Sequence, residues 1–183
     1  TKRGDSAKGQ YALDSAVQLI PYYEEYFGVK YPLPKLDMLA APGSSQFFGA
    51  MENWGAIFYF ENALLLDPAI STESNRRGVY EVVAHEIAHQ WFGNSVTEKD
   101  WDEIWLSEGF ATYFTLLFIE HQYGRDAFVE GLKSSKISVD AFHAKNPNYR
   151  LIHDNLKDMN DVTTSQIYQK GSWTLHMLRG VVG

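Results

Sequence analysis

The residues best suited to chemistry in this sequence form the segment His85-Glu86-Ile87-Ala88-His89. On an α-helix, side chains four positions apart lie about 40° apart around the axis and ~6 Å along it, so both imidazoles can bind one metal ion. Glu86 flanks the same face without pointing at the ion, which suits a general base acting on metal-activated water. Such a pattern arises by chance in roughly one chain in eighty of this composition, so its context decides the interpretation.

A third ligand is available in the segment Trp105–Phe110, where Glu108 follows His89 after eighteen intervening residues. That spacing accommodates a helix end, a turn and the start of an antiparallel helix. Two histidines and one carboxylate leave the fourth position of a zinc ion open, as in catalytic sites. The sequence therefore predicts one Zn²⁺ per chain, bound by His85, His89 and Glu108, although this ligand set also tolerates cobalt or manganese. Thr112, one helical turn after Glu108, is a candidate to orient the imidazoles.

The composition limits the remaining classes of function. At 183 residues, of which 45% are hydrophobic, the chain is long enough for one globular domain with a buried core. The net charge of −7 argues against a surface that binds nucleic acid or anionic membranes. No apolar run reaches the ~18–20 residues of a membrane span. Because the chain has no cysteine, its metal ligands must be histidines and carboxylates.

The hydrophobic spacing predicts more helices than strands, which indicates an α+β protein with a small mixed β-sheet on its N-terminal side. Predicted strands cover Leu36–Ala41 and Ala56–Phe60, separated by a loop rich in Gly, Ser and Phe. The zinc ligands His85 and His89 fall in a helix that Ser74 or Asn75 caps and that runs to about Phe92. The other predicted helices cover Asp14–Phe27, Glu103–Gln122, a segment from about Asp126, and a segment from about Ser165 to beyond Leu178. The stretch His143–Thr164 is predicted to be loop.

Several motifs, in a consistent order, resemble those of one family. The pattern HExxH, eighteen residues and then Glu is typical of gluzincins, and Gly49-Ala50-Met51-Glu52-Asn53-Trp54-Gly55 resembles the exopeptidase signature of zinc aminopeptidases of the alanyl aminopeptidase (aminopeptidase N) type. The similarity extends to Tyr31–Asp37, to His89–Asn94 and to Tyr168-Gln169-Lys170-Gly171, and so covers the chain from about Tyr11 to Arg179.

The resemblance implies a thermolysin-like zincin catalytic domain over residues 1–183. It also implies a larger multidomain protein, with a β-rich lobe before this domain and a helical lobe after it. By the same resemblance, Tyr168 stabilises the oxyanion of the tetrahedral intermediate, where a phenol can donate a hydrogen bond. The implied substrate is a peptide with a free N-terminus.

The chemistry of such a substrate agrees with this resemblance. A peptide α-amine has a pKa of about 7.7–8.0 and is largely protonated at neutral pH. Only two bonds of ~1.5 Å separate it from the first carbonyl carbon, so an enzyme that requires this amine must hold an anion close to its metal. Glu52 is the candidate for that anion, and the resemblance assigns it the same role.

The neighbours of Glu52 complete a candidate substrate-binding segment, Gly49–Asn53. Gly49 and Ala50 are small enough for close approach of a substrate, which can pair with this segment as an added strand. Met51 can line the pocket for the first side chain. Without the zinc motif nearby, Gly49–Asn53 would be interpreted as an ordinary loop that contains a glycine.

Two alternatives to a zinc aminopeptidase stay open on the sequence. A gluzincin endopeptidase would share the zinc ligands but would not need Glu52. A non-catalytic binding module would retain the fold without the chemistry, although the base, the three ligands and the tyrosine are all present. Hydrolysis of an epoxide lipid, known among some relatives of this family, is a further activity compatible with the same zinc.

Overall fold

The computed structural model describes residues 1–45, 48–154 and 165–183. The three strands are β1 (Asp37–Ala41), β2 (Ala50–Met51) and β3 (Ala56–Phe60). The α-helices are α1 (Gln10–Phe27), α2 (Glu61–Leu64), α3 (Glu73–Ala88), α4 (Trp105–Tyr123), α5 (Arg125–Lys145) and α6 (Gly171–Val182). Two short 3₁₀ turns, Ser6–Gly9 and Trp101–Glu103, and a π-helical segment, Ser165–Lys170, complete the regular structure of the described residues. None of these helices is both long enough and apolar enough to cross a membrane.

The described residues form two compact units, Thr1–Asn94 and Ser95–Gly183. The first unit contains the whole sheet, which is mixed and has the strand order β1-β3-β2. Strand β1 runs parallel to β3, and β2 runs antiparallel to β3 at one edge. The predicted α+β class with a small mixed sheet on the N-terminal side is therefore confirmed, and β2 is an additional strand inside the predicted loop.

Helix α3 begins with a capping box. The hydroxyl of Thr72 accepts a hydrogen bond from the backbone N–H of Asn75 at 3.2 Å, and the Asn75 side chain accepts one from the backbone N–H of Thr72 at 2.9 Å. This arrangement satisfies two N–H groups that the first turn of a helix cannot pair internally. The predicted caps, Ser74 and Asn75, are therefore wrong by a few residues.

The core of the first unit lies between α1 and α3. Val79, Val83 and Ile87 recur at helical spacing on α3 and are almost fully buried. The hydroxyl of Tyr23, on α1, donates a hydrogen bond to the carbonyl of Ala84 at 3.2 Å, which ties the two helices together inside the core. Helix α3 ends at Ala88, four residues earlier than the sequence predicts, because the backbone N–H groups of Gln90 and Trp91 bond carbonyls three positions back instead of four.

The second unit consists of α4, α5, α6 and the π-helical segment. Gly109 on α4 and Gly171 at the start of α6 allow two backbones to approach closely: a Cβ added to Gly171 would lie 2.9 Å from the Cα of Gly109. The indole N–H of Trp173 donates to the carbonyl of Leu132 at 2.9 Å and so links α6 to α5. The predicted helices of this unit are confirmed to within a few residues, and residues 155–164 of the predicted loop lie outside the described residues.

The approach of Gly171 to Gly109 predicts the effect of adding one methyl group. Gly171→Ala should lower the free energy of unfolding by about 1–3 kcal/mol, because backbone atoms cannot move aside as a flexible side chain can. Gly180→Ala is the matched control on the same helix, since nothing lies within 4 Å of its added Cβ. This control should raise stability by up to about 1 kcal/mol through helix propensity. Urea unfolding of both variants checks the prediction, and equal effects would contradict it.

Candidate functional site

The two predicted histidine ligands lie at the end of α3. His85 is in the last turn of the helix and His89 is its C-cap residue. His89 is 1% exposed, whereas His85 is half-buried. The helix places their rings one above the other, with centroids 4.6 Å apart and planes at 84°.

The ring nitrogens of this pair converge in the way that a shared metal ion requires. The Nε2 atoms of His85 and His89 are 3.0 Å apart. Two nitrogens bound to one tetrahedral zinc at ~2.0–2.1 Å would lie about 3.3 Å apart, so the pair fits such an ion with a small adjustment. The chemistry of the two donors, both imidazoles, also suits zinc.

A backbone carbonyl orients one of these rings. The Nδ1 atom of His89 lies 3.0 Å from the carbonyl oxygen of Phe92. Since a carbonyl can only accept, Nδ1 carries the proton, and the neutral ring then keeps its lone pair on Nε2, the atom that faces His85. Such a partner on the far nitrogen is typical of metal-binding histidines.

The prediction that Thr112 orients the imidazoles is wrong. Its buried hydroxyl has no hydrogen-bond partner in the part of the chain that the structure describes. The orienting group for His89 is instead a main-chain carbonyl three residues further along the chain, which no pattern of side chains could reveal.

Glu86, the predicted general base, is the next residue after His85 and is 7% exposed. Tyr59, on β3, is fully buried, and burial together with the negative charge of Glu86 raises the pKa of its phenol well above the ordinary value. The tyrosine hydroxyl has no hydrogen-bond partner among the described residues. The carboxyl group of Glu86 therefore shares its surroundings with a phenol that stays neutral.

The predicted substrate-binding segment, Gly49–Asn53, contains the edge strand β2. The carbonyl of Gly49 accepts a hydrogen bond from the N–H of Phe60 at 2.9 Å, after which Ala50 and Met51 pair with β3. Ala50 is buried and Met51 is 40% exposed, so their side chains point to opposite faces. The ladder ends at Met51, and Glu52, half-buried, is the first residue beyond it.

Two side chains that the sequence did not single out hold the backbone just beyond β2. Gln90 and Asn94 both donate hydrogen bonds to the carbonyl of Glu52, at 2.9 and 2.7 Å. Gln90 also accepts a hydrogen bond from the N–H of Gly55 at 3.1 Å. Both residues belong to the motif His89–Asn94, but no role was predicted for them, because their partners are backbone groups far away in the sequence.

Glu108 and Tyr168, the other two predicted site residues, belong to the second unit. Glu108 is half-buried in the first turn of α4. It directly precedes Gly109, whose backbone packs closely against that of Gly171. Tyr168 is half-buried in the π-helical segment that precedes α6. Short π-helical stretches occur frequently at functional sites.

Comparison with known protein families identifies the chain. It matches the Peptidase family M1 domain over residues 11–183. The chain belongs to peptidase family M1. The resemblance predicted from the motifs of the alanyl aminopeptidase type is thereby confirmed, and the M1 match covers all ten predicted site residues.

Curated relatives of this M1 domain are aminopeptidases. The domain is 56% identical to aminopeptidase N of Acetobacter pasteurianus over 110 residues, covering 60% of this chain and 31% of that protein. It is 42% identical to endoplasmic reticulum aminopeptidase 2 of Bos taurus over 174 residues, covering 92% of this chain and 18% of the relative. It is 39% identical to the puromycin-sensitive aminopeptidase of Caenorhabditis elegans over 182 residues, 97% of this chain and 19% of that protein. The chain thus spans between about a fifth and a third of their lengths.

The raised pKa of Tyr59 predicts a pH dependence of stability. In the unfolded chain the phenol ionises above its ordinary pKa of 10.0, whereas in the fold it keeps its proton. Stability is therefore fully present below pH 10 and falls above it, by about 1.4 kcal/mol at pH 11 from this residue.

Tyr59→Phe should remove that part of the pH dependence and leave the other ten tyrosines as they are. It should also raise stability at pH 7 by about 1 kcal/mol, because a buried hydroxyl without a partner is lost. Urea unfolding of both proteins at pH 7, 9 and 11 measures the difference. A difference that stays constant with pH would contradict the prediction.

Proposed function

We propose that this chain is the catalytic domain of a zinc aminopeptidase, which hydrolyses the first peptide bond of peptides with a free N-terminus. The observation that carries the proposal lies in the first unit, where hydrogen bonds join the segment after His89 to the predicted substrate-binding segment. The segment that follows His89 bonds directly to the backbone of Glu52. A metal-binding histidine and a candidate amine anchor are therefore held by one short stretch of chain.

The proposed zinc ligands are His85, His89 and Glu108, each of which offers one ring nitrogen or carboxylate oxygen. The convergence of the two Nε2 atoms at 3.0 Å and the carbonyl that orients His89 support this assignment. The eighteen-residue spacing to Glu108 and membership of family M1 support the third ligand. One Zn²⁺ bound there would supply a Lewis acid that activates water and polarises the scissile carbonyl.

The remaining residues have separate proposed roles in the reaction. The carboxylate of Glu52 pairs with the substrate ammonium group, a pairing that is stronger in a partly dry cleft than in water. Glu86 takes the proton of the attacking water and delivers it to the nitrogen of the leaving amine. The phenol of Tyr168 donates a hydrogen bond to the oxyanion of the tetrahedral intermediate. The substrate-binding site beside Glu52 is lined by the other residues of the same segment, which are Gly49, Ala50, Met51 and Asn53.

The short share of each relative that this chain spans supports a larger parent protein. We propose that the thermolysin-like zincin domain works between flanking domains of that protein. Assays of activity therefore belong in the full-length protein.

The first prediction concerns the substrate. The full-length protein should hydrolyse a short peptide with a free N-terminus with a far higher kcat/KM than the N-acetylated form of the same peptide. A chelator should abolish the activity, and added zinc should restore it. Glu52→Ala should reduce kcat/KM for the free peptide by 10-fold or more, about the loss of one partly buried ion pair. Equal cleavage of both peptides would instead indicate an endopeptidase on the same zinc ligands.

The second prediction concerns the base. Glu86→Gln should retain one zinc per chain in metal analysis and lower kcat by about 10²–10⁴-fold, because the amide cannot accept the proton. Glu81→Gln is the matched control, an identical change five residues earlier on α3 at an exposed ion pair with Arg77. The control should keep full activity. Zinc binding with full activity in Glu86→Gln would show that another group is the base, and the absence of metal from the native protein would indicate a non-catalytic module.

A further inference from the structure

The side chain of Gln90 acts as a clamp on two backbone groups. Its Oε1 accepts the N–H of Gly55 at 3.1 Å, and its Nε2 donates to the carbonyl of Glu52 at 2.9 Å. Among side chains, only the amides of Gln and Asn present a donor and an acceptor side by side in one plane. Gln90 is also completely buried, so no water competes for either bond.

At Glu52, side-chain hydrogen bonds take the place of strand pairing in holding the backbone. The β2–β3 ladder ends at Met51, one residue before it. The carbonyl of Glu52 bonds only to side chains, those of Gln90 and Asn94, in the bonds that the structure shows for it. Gly55, at the other end of the clamp, has a φ of 74°, and a Cβ there would lie 2.7 Å from Leu33. Gln90 therefore bonds both ends of the turn from Glu52 to Gly55, and the N–H of Ala56 also donates a hydrogen bond to the carbonyl of Asn53 at 3.0 Å.

The other side of the clamp is the metal-binding helix end. Gln90 directly follows His89, and its own N–H donates to the carbonyl of Ile87 at 3.0 Å. The ring of His89 is oriented by Phe92, two residues after Gln90. The five residues Gln90–Asn94 thus fix both the imidazole of His89 and the backbone of Glu52.

We propose that Gln90 is a positioning residue that sets the separation between the amine anchor Glu52 and the metal ligand His89, and thereby makes the site select a free N-terminus. The inference rests on the proposed function. Only two bonds separate the substrate amine from the carbonyl carbon that reacts, so the substrate cannot adjust to a displaced anchor. A displacement of about 1 Å in such a site can cost ~10²-fold in rate.

Gln90→Met tests the proposal, because methionine has a similar length and volume but neither hydrogen-bonding group. In the full-length, zinc-loaded protein, we expect unchanged zinc content and a 10- to 100-fold lower kcat/KM for a free tripeptide. Most of the loss should be in kcat, because an ammonium group held by a displaced anchor carries the scissile carbonyl out of position for the reaction. The ratio of kcat/KM between the free and N-acetylated peptides should fall by the same factor.

A double-mutant cycle with Glu52→Ala separates positioning from a general structural defect. If Gln90 acts through Glu52, Gln90→Met should have little further effect on that ratio once Glu52 is alanine. Two effects that multiply would overturn the proposal. Asn94→Ala, at a half-buried position, removes one bond to the same carbonyl and should change the ratio in the same direction by a smaller factor.

Tyr23→Phe is the matched control for lost stability. It removes a buried hydrogen bond to the same helix, at the carbonyl of Ala84, without touching the turn. The control should leave the ratio between free and N-acetylated peptides unchanged, and a loss equal to that of Gln90→Met would overturn the proposal.

Hydrogen exchange gives a readout independent of activity. The amide proton of Gly55, which Oε1 of Gln90 accepts, should exchange at least 10-fold faster in Gln90→Met, and unchanged exchange would overturn the clamp. If the native protein and Gln90→Met discriminate equally between the two peptides, the proposal for Gln90 fails and the aminopeptidase proposal stands. If the native protein does not discriminate, the aminopeptidase proposal fails and this inference fails with it.

Discussion

Two imidazoles can share one metal ion only if their lone pairs point at the same place, and the architecture around His85 and His89 brings their Nε2 atoms to 3.0 Å from each other. An α-helix supplies the spacing, because it stacks residues four apart on one face. It does not by itself choose which ring nitrogen is protonated. In this chain the carbonyl of Phe92 makes that choice for His89, since it can only accept a proton from Nδ1. The helix must therefore stop soon after His89 so that this carbonyl can turn back towards the ring.

The rest of the first unit keeps that helix end in place. The capping box of Thr72 and Asn75 satisfies the N-terminus of α3, and the apolar face of the helix packs on α1. Tyr23 then donates a hydrogen bond to the carbonyl of Ala84, one residue before His85. These contacts bury Glu86 as well as His89, so a carboxyl group and an imidazole lie in surroundings where electrostatic interactions are stronger than in water.

The sheet contributes its edge strand β2, whose pairing with β3 does not extend to the residues that follow it. Strand β2 has two residues, and the chain beyond it depends on side chains from the end of α3. Hydrogen bonds thus link the segment that carries His89 to the candidate substrate segment within one unit. In the second unit, Gly109 beside Glu108 and Gly171 near Tyr168 allow the backbones of α4 and α6 to meet, which places two further candidate site residues on a tightly packed scaffold.

The amino-acid sequence alone determined those features that depend on the order of residues along one element. The spacing of His85 and His89, the amphipathic helices and two of the three strands follow from local periodicity, and the motif order was sufficient to identify the family. Tertiary structure alone decided the features that join distant backbone atoms to side chains. The carbonyl that orients His89, the neutral phenol of Tyr59 beside Glu86 and the clamp of Gln90 on Glu52 and Gly55 are of this kind. A backbone carbonyl or N–H is identical at nearly every residue, so no sequence pattern can show which of them will lie within 3 Å of a given side chain.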